Sequence, residues 1–185
     1  WQKRYLKTSL RNLDGTSATN ANNGTVVTGQ RFVTRMILNN TGNSPMQNVM
    51  ICDKFDNNRM EITDGLPGNA VRMVVTHAAG GTVITPTYIA EYGTGGSPGL
   101  SYWANTNDQQ YATCDNADST TGWHTSTLSV PGGRDAITRV RIRFTSDIEA
   151  KINTTTYISQ TVRNTFAFGP NAGQPMPSGE MIPNY

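Results

Sequence analysis

Ile137-Thr138-Arg139-Val140-Arg141-Ile142-Arg143-Phe144-Thr145 is the most regularly alternating stretch of the 185-residue chain. Successive side chains of a strand project to opposite faces, so Val140, Ile142 and Phe144 share one side and Arg139, Arg141 and Arg143 the other. An apolar face calls for burial, and long cationic side chains on the opposite face suit water. The arginine spacing of two is therefore read as the solvated face of a half-buried strand. A nucleic-acid surface would need a clustered basic face, and the formal net charge of +2 offers none.

Three further stretches carry the same period. Residues 5–10 place Leu6, Thr8 and Leu10 on one face. Residues 31–39 place Phe32, Thr34, Met36 and Leu38 on one face and Val33, Arg35 and Ile37 on the other. In residues 48–55, Val49, Ile51 and Asp53 alternate with Met50, Cys52 and Lys54. Weaker strands are expected at 71–76, 82–90, 126–130 and 157–168. Turn formers separate them, among them Asn22-Asn23-Gly24, Thr41-Gly42-Asn43, Gly80-Gly81 and Pro131-Gly132-Gly133. No segment keeps a helical period. Short strands parted by turn signals predict an all-β antiparallel β-sandwich or barrel.

Composition narrows the class. The hydrophobic share is 36% and the charged share 15%, both low, with Thr, Asn and Gly filling the difference. That balance fits an extracellular all-β protein with a thin core, since each strand buries only one face. No apolar run reaches the length of a membrane span. The chain opens on Trp1 without a leader pattern and reads as a mature or excised segment. Cys52 and Cys114 are two in number, and either a disulfide or a buried free thiol at Cys52 fits the sequence.

Residues 91–123 form a long irregular insertion rich in Gly, Ser, Asn and Asp, and the tail 169–185 is Pro-rich. The expected organisation is one sandwich domain over 1–168, carrying that insertion, followed by an edge-hugging extension or linker.

Thr28-Gly29-Gln30, a strand closing on Leu38-Asn39-Asn40-Thr41-Gly42, Pro45, and an apolar strand ending at Asp53 together resemble a known pattern. It is similar to the repeat family called domain of unknown function 11, found in bacterial and archaeal surface proteins. Residues 137–144 and Val162-Arg163-Asn164-Thr165 resemble its late strands. The resemblance covers about the first and last thirds of the chain; the insertion and the tail have no counterpart in it. It implies an immunoglobulin-like sandwich in a stalk, adhesin or surface layer, without catalytic activity.

Candidate sites are few. His77 and His124 lie in no metal or triad spacing, and no glycine loop leads into a helix, so the chain is expected not to be an enzyme and to carry no cofactor. Alternation sends Asp53 toward the core, where a carboxylate calls for a partner. Lys7, Asp53 and Asn164 (or Asn184) could compose an isopeptide set, although alternation with Leu6 and Leu10 sends Lys7 to the other face; the alternative leaves Lys7 in water and Asp53 capping a turn. Tyr102, Trp103, Tyr111 and Trp123 could stack on sugars or form a satellite core. Asp108, Asp115 and Asp118 could gather Ca²⁺, but their spacing matches no calcium loop. The functional expectation is a non-catalytic structural or adhesive module. Its partners would be neighbouring domains or copies of itself, with no nucleic acid and no membrane insertion. A carbohydrate-binding module using the 91–123 aromatics, and a virion or appendage subunit, are the alternatives.

Overall fold

The computed structural model describes residues 2–7, 19–20, 27–63, 70–94 and 122–179, the first two stretches by their backbone. The strands are β1 (Gln2–Lys7), β2 (Thr19–Asn20), β3 (Arg31–Asn39), β4 (Met50–Lys54), β5 (Met60–Ile62), β6 (Val71–His77), β7 (Tyr88–Gly93), β8 (Trp123–His124), β9 (Arg139–Phe144) and β10 (Ile152–Val162). All pairings are antiparallel. One sheet runs β2-β1-β3-β10-β5, with β6 also on β10, and the other runs β4-β9-β7-β8. The consecutive strands β9 and β10 lie in different sheets.

The two sheets enclose one apolar core, the arrangement of a β-sandwich. Phe32 and Met36 of β3 and Ile152 and Ile158 of β10 meet Ile51 of β4 and Val140, Ile142 and Phe144 of β9 in a single cluster. Burying each such side chain contributes about 1.5–3 kcal/mol. The alternation of β9 thus reaches the interior as expected. So does that of β4: Ile51, Asp53 and Phe55 are buried while Met50, Cys52 and Lys54 are only partly so.

β10 organises the first sheet. Its Asn153–Thr161 stretch pairs with β3. Its other edge takes β6 along Ile152–Ile158 and then β5 along Gln160–Val162. A small second cluster, Val33 and Tyr157 with Val74, lies apart from the main core. In register Leu6 stands opposite Val33, and Lys7 opposite Phe32. Leu6 thus aligns in register with a residue of this second cluster, and Lys7 with a residue of the main core.

Local chemistry corrects several strand limits. The strand expected at 126–130 is a 3-10 helix, Thr127–Ser129, because Ser126 accepts from the Leu128 amide at 3.2 Å and turns the chain. The strand expected at 157–168 runs instead from Ile152 to Val162. Beyond it, Thr165 bridges Pro175 and the Met176 amide donates to the Asn164 carbonyl at 3.2 Å. Met176 packs against the core, so the described part of the tail folds back on the domain. β7 includes Glu91, and β8 begins at Trp123, so both ends of the 91–123 stretch belong to the second sheet.

The Asn40-Thr41-Gly42 turn has a clear physical role. Asn40 is 3% exposed. Its Nδ2 reaches the carbonyls of Ser44, Ile148 and Glu149 at 2.9, 2.9 and 3.1 Å, and its Oδ1 accepts from the Gly42 amide at 3.0 Å. One amide side chain fastens this turn to the β9–β10 connection. At Gly29, φ is +74°, a conformation that glycine adopts without strain, and its amide donates to Val162 at 2.8 Å.

Candidate functional site

The face of the second sheet turned away from the core carries a connected row of charged side chains. Register decides its membership. Arg141 of β9 stands opposite Cys52 of β4 on one side and Glu91 of β7 on the other. Arg139 stands opposite Lys54 and Gly93, and Arg143 opposite Met50 and Ile89. Trp123 of β8 stands opposite Gly93.

These residues form one connected cluster. Arg141 Nε donates to Glu91 Oε2 at 2.6 Å, with side chains 1% and 4% exposed. Arg143 approaches the same carboxylate through Nε at 3.3 Å and Nη2 at 3.4 Å. The guanidiniums of Arg139 and Arg141 lie 4.6 and 4.2 Å from the centre of the Trp123 ring, within cation–π range. Gly93 makes room for this stack: a Cβ there would fall 2.7 Å from Arg139 Nε and 3.1 Å from Trp123 Cε3.

The solvated arginine face expected from the sequence is thus corrected. Alternation assigns these arginines to the outer side rightly, but that side is not open. Arg141 is 0% exposed, and Arg139 and Arg143 are only partly exposed. The signal that could have revealed it is Glu91, a lone acid whose neighbours Tyr88, Ala90 and Tyr92 mark it as outward-facing on the adjoining strand.

Electrostatics follow the geometry. Burial alone would push the Glu91 carboxyl upward, but hydrogen bonds from Arg141 and Arg143, with their charges, outweigh it and hold the carboxyl below its ordinary value. Burial, then the neighbouring Arg141 charge, lowers Arg139. On the core-facing side, burial raises the Tyr88 phenol despite a hydrogen bond with the Met73 backbone and the Arg72 charge, which act the other way. Chemically, the cluster holds an ionised acid between two guanidiniums. That arrangement clamps strands and leaves Glu91 poorly suited to accept a proton.

A second charged group secures the end of β10. Arg163 donates to the Asn57 carbonyl at 3.0 Å, to Glu61 at 3.2 Å and to Asp135 at 2.7 Å. Arg59 pairs with Asp56 at 2.6 Å and lies 5.3 Å from the Phe166 ring centre.

The remaining sequence candidates fall as follows. Cys52 is disulfide-bonded, and Cys114, the other cysteine of the sequence, lies outside the described residues. Asp53 is 1% exposed on β4 of the second sheet, whereas Asn164 is exposed in the turn after β10 of the first. Lys7 is placed by its backbone alone. Of the aromatic set, Trp123 is 8% exposed and engaged by two guanidiniums. Tyr102, Trp103 and Tyr111, the acids Asp108, Asp115 and Asp118, and Asn184 lie outside the described residues. Among the described residues no three His, Cys, Asp or Glu side chains group to hold a metal, and no helix is long and apolar enough to cross a membrane. His77 accepts from the Ala79 and Gly81 amides at 3.1 and 2.9 Å, which closes the turn after β6.

No protein-family model, no curated protein and no solved structure matches this chain.

Proposed function

We propose that this domain is a non-catalytic structural or adhesive module of an extracellular surface protein or assembly, built as an immunoglobulin-like sandwich. The observation that carries the reading is the Arg141–Glu91–Arg143 cluster with Trp123 against it. Its charged groups are spent on holding the domain's own strands together. The Cys52 disulfide supports it, because such bonds persist in oxidising, extracytoplasmic compartments. The resemblance of the Asn40-Thr41-Gly42 and Asp53 segments to bacterial surface repeats points the same way. In this reading the domain sets distance and orientation for whatever adjoins it.

A glycan array tests the reading against the carbohydrate-binding alternative. A spacer stays silent on every glycan. Saturable binding by the native chain that Trp103→Ala abolishes would replace the spacer with a lectin-like module. The appendage-subunit reading is favoured by one observation, the exposed run Thr82-Val83-Ile84-Thr85, with Val83 and Ile84 45% and 55% exposed. Concentration-dependent assembly in sedimentation velocity, lost in Ile84→Lys, would select it.

A further inference from the structure

Thr34 of β3 and Gln160 of β10 are both 0% exposed, in the interior of the first sheet. Thr34 pairs in register with Ile158, which makes Gln160 its diagonal neighbour, a separation that a long side chain spans. Thr34 Oγ1 donates to Gln160 Oε1 at 2.6 Å, toward the short end for such bonds. The other half of the amide is not provided for: Gln160 Nε2 is sealed from water with no hydrogen-bond acceptor. Stranding a buried donor is costly, and an apolar side chain of the same shape would avoid that cost. The interior therefore holds a hydroxyl against an amide carbonyl whose nitrogen has nothing to bind.

The same hydrogen bond sets the reacting distance. With a carbonyl bond of about 1.23 Å, an oxygen so placed lies roughly 3–3.5 Å from the amide carbon, the separation of a near-attack arrangement. We propose that Thr34 and Gln160 join in an intramolecular ester that cross-links β3 to β10. Thr34 Oγ attacks Gln160 Cδ through a tetrahedral intermediate. The Cδ–Oγ bond forms, the Cδ–Nε2 bond breaks, and the hydroxyl proton leaves with the nitrogen as ammonia. No oxidant, metal or co-substrate enters the balance. The atom expelled is the one that lacks an acceptor. Burial then shields the ester from hydrolysis, and the loss of ammonia to bulk water opposes the reverse step. The inference rests on this buried pair and is independent of the functional reading above.

Intact-mass measurement of the full chain, with its disulfide reduced, is the test. The native protein is expected one ammonia lighter than its sequence, and Thr34→Val and Gln160→Leu at the full mass of theirs. A digest should contain one branched peptide joining residues 34 and 160, which hydroxylamine cleaves. A native chain at full mass overturns the proposal, and that measurement needs no variant to fold. A deficit that persists in Thr34→Val also overturns it, since the ammonia would then come from an asparagine elsewhere.

Discussion

Glu91 Oε2 lies 2.6 Å from Arg141 Nε, with both side chains almost wholly out of water, on the side of the second sheet that faces away from the core. Removing one partner of such a pair strands the other charge. Glu91→Ala should lower the unfolding free energy by about 3–5 kcal/mol. Urea denaturation checks it, and the double variant Glu91→Leu/Arg141→Met should recover most of the loss, because it removes both buried charges together.

The same pair sets an acid limit. Glu91 is held below its ordinary value in the folded state, so folding favours the ionised form. Its contribution is complete above the unfolded carboxyl's value and is lost as pH falls through the lower, folded one. Thermal unfolding followed from pH 7 downward should show stability declining across and below the ordinary carboxylate range. Glu91→Gln should flatten that decline.

Trp123 is expected to matter for stability rather than for binding. Its ring is 8% exposed and engaged by Arg139 and Arg141. Trp123→Ala should cost about 3–5 kcal/mol, and Trp123→Phe far less, since a smaller aromatic face remains. Equal losses in both variants, measured in guanidinium chloride, would contradict the packing role.

Asn40 serves three carbonyls and one amide from a single buried side chain. Asn40→Ala leaves these groups unserved and should cost at least about 1–3 kcal/mol. Asn40→Asp should be worse at neutral pH, because a carboxylate would face the same carbonyls. Hydrogen exchange at the Gly42 amide reports the local opening.

Cys52 is disulfide-bonded. Cys52→Ser should reduce stability by about 2–5 kcal/mol, the usual range for removing a native bridge. The check is the midpoint of urea unfolding, compared with the native chain before and after reduction, which should lower the native value to that of the variant.

Alternation made much of this architecture readable. Val140, Ile142 and Phe144 enter the core as their period requires, and Asp53 is buried because it continues the Ile51 row. What alternation cannot supply is the fate of the second face. A period of two separates Arg141 from Ile142 but says nothing of what lies against the arginine. Only register brings Glu91, fifty residues away in sequence, beside it. Residues 126–130 misled for a different reason. Alternating Thr127 and Ser129 resemble a strand, yet the Ser126 hydroxyl satisfies the Leu128 amide locally and bends the chain, leaving Leu128 78% exposed. β1 shows a third limit. Period alone could not say which strand residue Leu6 meets, and register aligns it with Val33 of the second cluster rather than with the main core.

The position of β10 has a mechanical consequence. It is bonded along one edge to β3 and along the other to β6 and then β5, all antiparallel. A pull parallel to this strand loads both flanking ladders in shear. Their hydrogen bonds must then slide as a group instead of parting one by one, so yielding along that axis would be abrupt.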